Sequence, residues 1–167
     1  MKTRRVLRAL LWTAFIVYDL VLLSILFLGG RGHRFPYDSI WDYMRYSVQL
    51  IPFKTVWGYV TDFLNHGHWV LGLAIKNVFG NLVLFLPMGM FLPCLFRRVR
   101  KPGTAALVAL CTILGVELFQ LVLRRGIFDI DDLILNMAGF LGGFFIIRIP
   151  LIRKLCVKLH FWTEEAA

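Results

Sequence analysis

The chain of 167 residues carries 19 Lys and Arg against 10 Asp and Glu, and its formal charge is +9. Hydrophobic residues make up 59% and charged residues 17%, whereas soluble domains average roughly 45 to 50% and 25%. This composition argues against a soluble globule and excludes a disordered chain. Because the basic residues lie between long apolar runs, no nucleic-acid partner is expected, and the charge indicates membrane topology instead.

Four apolar stretches, taken in chain order, predict an all-α membrane protein. We expect a bundle of four transmembrane helices that forms one domain over residues 1–167. Each stretch approaches the roughly 20 residues that a helix needs to cross the hydrocarbon core. The predicted spans are 6–28, 72–96, 104–123 and 130–149, with an outer loop over 29–71. A cleaved signal peptide is the alternative for the first span, because four basic residues precede its apolar core.

The Lys and Arg residues beside the spans predict the orientation, since cytoplasmic loops retain positive charge. Three basic groups would share one side of a bundle of four spans. They are the N-terminal residues Lys2 to Arg8, the loop Arg97 to Lys101 and the tail Arg148 to Lys158. We therefore expect both termini in the cytoplasm and the long first loop on the outer side.

The outer loop is rich in aromatic residues, as expected of a segment at the depth of the lipid headgroups. After Pro52, apolar side chains recur at helical spacing, and polar ones lie between them. The apolar positions are Phe53, Val56, Trp57, Val60, Phe63 and Leu64. The pattern predicts a short interfacial helix, which either gates a substrate or only covers the outer end of the bundle.

Polar residues inside the predicted spans mark the candidate site, because a buried amide or charge is costly unless it is paired. Helical spacing places these residues on shared faces. The groups are Asn77 and Asn81 in the second span, Glu117, Gln120 and Arg124 in the third, and Asp129, Asp132 and Asn136 in the fourth. By the same spacing Asp131 points elsewhere. At a rise of about 1.5 Å per residue, the three groups meet in the outer half of the membrane.

Small residues of the fourth span, Gly139 and Gly143 above all, are spaced so that a neighbouring helix can approach closely. Asp19 lies alone in the first span, and we expect it to hydrogen-bond to a neighbouring helix, with a role in the site as the alternative. The three Cys and four His residues form no CxxC or HxxxH pair. We therefore expect no disulfide framework, no metal site and no cofactor.

Four patterns follow one another along the later spans. They are N-x-x-x-N from Asn77, L-F-x-P-x-G from Leu84, E-x-x-Q from Glu117 and D-I-D-D-x-x-x-N from Asp129. In this combination they resemble the VanZ-like family of bacterial membrane proteins, and the resemblance covers about residues 50–145.

The stretch Leu50-Ile51-Pro52-Phe53 also resembles a motif that this family carries in its outer loop. Gln49 stands where the family pattern has Asn. The adjacent residues Arg124 and Arg125 leave two candidates for the family's basic position.

The resemblance implies a multi-pass protein of the bacterial plasma membrane, in a family whose named member is associated with resistance to the glycopeptide antibiotic teicoplanin. Teicoplanin carries a fatty-acyl chain and acts at the outer leaflet on cell-wall precursors. The expected partners are therefore membrane lipids and a lipophilic glycopeptide or a lipid-linked precursor, in an oligomeric state that the sequence leaves open. The candidate ligand-binding residues are Asn77, Asn81, Glu117, Gln120, Arg125, Asp129, Asp132 and Asn136.

Three functions fit this set of residues. The first is a binding or envelope-modifying protein that limits the access of a glycopeptide to its target. The second is an enzyme acting on a lipid-linked substrate, with Glu117 as general acid or base and Asp129 or Asp132 as its partner or as a cation ligand. No Ser, His or Cys lies in the cluster as a nucleophile. In the third, the polar residues only hold the spans together.

Overall fold

The computed structural model describes residues 2–28, 39–66 and 68–162, and most of them are helical. In chain order the elements are α1 (Lys2–Leu28), α2 (Ile40–Tyr46), β1 (Val48–Gln49), α3 (Lys54–His66), α4 (His68–Leu84), α5 (Leu86–Leu95), a 3₁₀ helix (Arg97–Arg100), α6 (Pro102–Val122), β2 (Phe128–Asp129), α7 (Ile130–Ile146) and α8 (Pro150–Lys158).

Three helical segments are long and apolar enough to cross a membrane, namely Lys2–Leu28, Ala74–Leu95 and Pro102–Val122. A fourth span results if α7 and α8, which are bent by 69°, count as one. These segments confirm the prediction of a mostly helical chain with several membrane-crossing helices. The predicted fourth span, 130–149, extends three residues beyond the end of helix α7, however. Its helix stops at Ile146, since Pro150 lacks a backbone N–H and restricts Ile149 to an extended conformation.

The second span is not one continuous helix as predicted, because it is broken at Phe85 between α4 and α5. Pro87 has no N–H to donate to the preceding turn. At the same point the Tyr18 hydroxyl donates to the Leu84 carbonyl at 2.7 Å and accepts the Met88 N–H. A side chain from α1 thus takes the place of a hydrogen bond within the helix, which is a recognised cause of helix breaks.

Helix α7 packs against α4 and α5 with almost no space between the backbones. A Cβ atom built on Gly139 or Gly143 would lie 1.9 Å from a carbonyl oxygen of the other segment, and one on Gly89 would lie 2.0 Å from that of Phe140. No such contact is found at Gly142. The structure therefore confirms that Gly139 and Gly143 permit close packing, and it places this contact at the centre of the bundle.

Helix α1 is the most loosely packed of the candidate spans. In its most apolar window 11% of the residues are buried, compared with 39% for Ala74–Leu95. Leu22 and Leu26 reach the core, and α1 packs mainly against α5. Oδ1 of Asp19 is buried and has no hydrogen-bond partner within the described part of the chain, so the expected bond to a neighbouring helix does not form through this atom.

The predicted outer loop contains more regular structure than the sequence indicated. The expected helix after Pro52 is present as α3, whereas α2 and the strand β1 were not predicted. β1 pairs in parallel with β2, with Val48 opposite Phe128 and Gln49 opposite Asp129. This pair of two-residue strands is a small addition to a fold that is otherwise helical. It holds residues 39–66, which we call the outer segment, against the start of α7.

The three basic groups converge at the other end of the bundle. Arg4, Arg97 and His160 line one cavity there, and the Arg148 side chain donates to the Arg100 carbonyl. The three basic groups therefore lie at the same end of the bundle, as predicted. The membrane side that this end faces stays a prediction.

Candidate functional site

The Asp131 carboxylate binds the N-terminus of α3. It accepts the backbone N–H groups of Phe53, Thr55 and Val56, the last two at 2.9 and 3.1 Å. Phe53 adopts a left-handed conformation with φ 64°, which turns its N–H toward the carboxylate. The first N–H groups of a helix have no partner within the helix, and the helix dipole favours a negative charge beside them. Asp131 therefore anchors α3 on α7.

Asp129 links the same two elements and begins α7. Its Oδ1 accepts the Asp131 N–H at 2.9 Å as an N-cap, and its Oδ2 accepts the Thr55 hydroxyl. Asp129 is buried. Both carboxylates thus fix the position of Thr55 relative to the start of α7.

A polar cavity of about 660 Å³ lies beside these contacts. Its lining combines charged, amide, hydroxyl and aromatic side chains from the outer segment and from the ends of the spans. The lining residues are Tyr46, Val48, Gln49, Lys54, Thr55, Tyr59, Asn77, Gln120, Gly126, Ile127, Asp129 and Asp132. A volume of this size is typical of small-molecule sites. We refer to it as the polar cavity.

Four of the predicted ligand-binding residues line the polar cavity, namely Asn77, Gln120, Asp129 and Asp132. The others do not. Asn81, Glu117 and Asn136 are buried and do not belong to this lining, and Arg125 is exposed. The prediction thus identified residues of the cavity and residues of its surroundings without distinguishing them.

Asn81 acts on the cavity through its neighbours. Its amide nitrogen donates to the Asp132 carboxylate and, at 3.3 Å, to Asn77 Oδ1. Both acceptors belong to residues that line the cavity, so Asn81 orients them. The spacing of polar residues in the sequence does not distinguish a residue that orients the cavity lining, such as Asn81, from one that contacts a ligand.

Gln120 connects the cavity to α1. Its Nε2 donates to the Leu26 carbonyl at 2.9 Å, close to the end of α1, where carbonyl groups lack helical partners. The contact accounts for a polar side chain with only 5% exposure on an apolar helix.

Arg124 and Arg125 have different environments. Arg124 ends α6 in a left-handed conformation with φ 53°, and its guanidinium carbon lies 5.8 Å from the centre of the buried Tyr43 ring. The Tyr43 hydroxyl in turn donates to the Gly126 carbonyl, and Gly126 lines the cavity. Both arginines are exposed, and Arg124 is the one whose guanidinium lies over the Tyr43 ring.

The site residues that sequence reasoning missed come mainly from the outer segment. Gln49 and Lys54 line the cavity, and Lys54 Nζ donates to Gln49 Oε1 at 3.4 Å. Nε2 of Gln49 is buried without a hydrogen-bond partner among the described residues, as is Oδ1 of Asn136. A bound acceptor that reached the Gln49 amide would restore a hydrogen bond whose absence is costly.

An apolar groove adjoins the polar cavity. It has a volume of about 260 Å³ and lies between α3 and α4. Its lining residues are Val56, Tyr59, Val60, Phe63, Leu71, Ala74, Ile75, Val78 and Phe79. Tyr59 belongs to the lining of both the groove and the cavity, so the two spaces are neighbours.

Over residues 2–28, 39–66 and 68–162, no three His, Cys, Asp or Glu side chains come together in a group that could hold a metal ion.

The long apolar helices and the polar cavity at one end of their bundle are those of a multi-pass membrane protein. A model of the VanZ/LLP1 family matches residues 15–153. The chain therefore belongs to the VanZ/LLP1 family, as its motifs indicated. No curated protein matches the chain, and no solved structure does.

Proposed function

We propose that this protein binds an amphiphilic molecule of the bacterial envelope, and that this binding contributes to tolerance of an acylated glycopeptide such as teicoplanin or to the handling of envelope lipids. The observation that carries the proposal is that Tyr59 belongs to the lining of both the polar cavity and the apolar groove. A single ligand with a polar head and a hydrocarbon chain would fill both.

The polar cavity suits a hydrogen-bonding head group. Lys54 supplies a cationic donor, Asp132 an acidic acceptor, and Asn77 an amide that can act as either. A volume of about 660 Å³ holds a head group of drug size. These residues are positioned by the hydrogen bonds of Asn81 and Asp131, so little ordering of the site is needed on binding.

The apolar groove suits a single hydrocarbon chain. Burial of each CH₂ group from water is worth about 0.8 kcal/mol, which favours acylated molecules over otherwise similar ones that lack a chain. Membership of the VanZ/LLP1 family supports the same direction, because the resemblance noted above links this family to teicoplanin. We place the polar cavity at the outer face of the bacterial plasma membrane, where this antibiotic meets its target.

The proposal is tested by susceptibility measurements on bacteria with and without the gene. Expression should raise the inhibitory concentration of teicoplanin more than that of vancomycin, which lacks the acyl chain. Asp132→Asn should remove the effect at normal membrane abundance. Asp62→Asn, an exposed change on α3 outside the cavity, is the matched control. Unchanged susceptibility to both antibiotics, or full protection by Asp132→Asn, would contradict the proposal.

An enzyme acting on a lipid-linked substrate is the second candidate, because two carboxylates, Asp129 and Asp132, line one cavity. Glu117, the expected acid or base, is buried outside that lining. Glu117→Gln keeps the size of the side chain but removes proton exchange. Loss of the phenotype in this variant at normal abundance would favour the enzyme, whereas retained protection would favour binding.

A further inference from the structure

The end of the bundle opposite the polar cavity is strongly basic. Twelve of the 19 Lys and Arg residues lie in the segments 2–8, 97–101 and 148–158, which meet there. About 27 Å along α6 separates this end from Gln120 at the cavity. Stretches 1–18, 94–104 and 146–162 contain no Asp or Glu at all. Such a concentration of like charge attracts anionic partners.

A small cavity of about 60 Å³ lies within this basic end, between α1, the 3₁₀ helix and the residues that follow α8. Four arginines and a histidine supply its polar lining, and apolar residues complete it. The lining residues are Arg4, Arg8, Leu11, Cys94, Leu95, Arg97, Arg100, His160 and Phe161. No acidic side chain of the described residues belongs to this lining. We refer to it as the basic cavity.

Arg100 gives the basic cavity a fixed positive charge. Its side chain is 6% exposed, its Nε donates to the Pro93 carbonyl at 3.0 Å, and its guanidinium lies 4.3 Å from the centre of the Trp162 ring. Burial lowers the pKa of Arg100, and the nearby charge of Arg97 lowers it further. An arginine nevertheless stays protonated at neutral pH, so Arg100 keeps its positive charge in this position.

We propose that the basic cavity binds the phosphate group of an anionic phospholipid. A volume of about 60 Å³ is several times the roughly 10–15 Å³ that one water molecule needs on the same measure, which gives room for a compact anion. Arg4 and Arg8 lie one turn apart on the same face of α1. Guanidinium groups bind phosphate oxygens through paired hydrogen bonds.

The surroundings of the basic cavity favour a lipid over free phosphate. Leu11 and Phe161, which are half-buried, line the basic cavity beside its arginines. They provide an apolar surface along which acyl chains can lie once the phosphate is bound. Basic pockets at the ends of transmembrane helices bind lipid head groups in this way. The inference is independent of what the polar cavity binds.

The test is native mass spectrometry of the purified protein in a nonionic detergent, with added phosphatidylglycerol or phosphatidylcholine of the same acyl chains. The first molecule of phosphatidylglycerol to bind each protein should bind more tightly than the first molecule of phosphatidylcholine. Arg4→Gln combined with Arg8→Gln should weaken the first binding by about tenfold or more, because charge-assisted contacts are lost. Arg97→Gln, an exposed position, should weaken it in the same direction and gives a second test if the double variant folds poorly.

The matched control is Arg98→Gln combined with Lys101→Gln, which removes two exposed charges at the same end but outside the basic cavity. It should retain the preference for phosphatidylglycerol. Equal weakening in the control would show diffuse attraction and overturn the proposal. Inorganic phosphate alone should neither raise the unfolding temperature nor displace the lipid. If it did both, the ligand would be free phosphate, and the lipid assignment would be wrong.

Discussion

The carboxylate of Asp131 accepts the backbone N–H of Thr55 at 2.9 Å, although 76 positions separate the two residues in the chain. Thr55 lines the polar cavity, and so does Asp129, two residues before Asp131. The contact therefore holds two parts of the cavity lining, from the outer segment and from the start of α7, in a fixed relation.

Asp131→Asn should detach α3 from the bundle. The amide offers one neutral oxygen to three N–H groups and brings its own N–H groups close to them. Hydrogen bonds to a charged group are worth about 1.5–3 kcal/mol, so we expect a loss of about 2 kcal/mol in unfolding free energy and faster proteolysis within α3. Asp42→Asn, in the exposed first turn of α2, is the control. Equal cleavage rates for the two variants would contradict this role of Asp131.

Gly139→Ala should destabilise the bundle, because its Cβ would lie 1.9 Å from the Leu82 carbonyl oxygen. Overpacking of this kind costs about 1–3 kcal/mol. Gly142→Ala is the matched control on the same helix. Its Cβ meets nothing within 4 Å, and the higher helix propensity of Ala should leave stability unchanged or raise it by up to about 1 kcal/mol. Thermal unfolding in detergent measures both. Similar unfolding temperatures would show that α7 moves aside without cost.

Tyr18→Phe should weaken the contact between α1 and the break in the second span. It removes the hydroxyl that bonds the Leu84 carbonyl and the Met88 N–H, and an unsatisfied buried group costs about 1–3 kcal/mol. Thr13→Val on the same helix removes a hydroxyl that bonds only to the Ala9 carbonyl of its own helix, and it should change stability little. If Tyr18→Phe were as stable as Thr13→Val, Pro87 alone would account for the break in the second span.

The orientation of the bundle is tested by thiol labelling in a background that lacks Cys94, Cys111 and Cys156. Lys54→Cys should react with an impermeant maleimide in intact cells. Lys101→Cys should react only after permeabilisation, because we expect the basic end to face the cytoplasm. The reverse pattern would place the polar cavity at the inner face and remove the basis for a role against an antibiotic that acts outside.

Hydropathy and residue spacing predicted the parts of the fold that depend on contacts within one helix. The long apolar runs predicted α1 and α6, and the amphipathic pattern after Pro52 predicted α3. The break at Phe85 could not be predicted in the same way. It depends on Pro87 together with Tyr18, which comes from another helix.

The candidate site was predicted in part for the same reason. Asn77 and Asp132 stood out as polar residues within apolar runs, and both line the cavity. Asp131 was set aside because it points away from their face. Its partners are backbone N–H groups. Almost every residue type has such a group, so the sequence does not indicate which of them Asp131 binds. Gln49 is placed by a pair of two-residue strands, and so short a pairing over such a separation has no sequence pattern of its own.

The Tyr18 hydroxyl has a consequence for the order in which the protein is made. If the second span entered the bilayer alone, the Leu84 carbonyl and the Met88 N–H would face hydrocarbon, where each unsatisfied group costs several kcal/mol. Their partner lies on α1, which the ribosome completes first. The loosely packed first helix is thus already in the membrane when the broken segment arrives, so deletion of α1 would impair the insertion of a span that it barely covers.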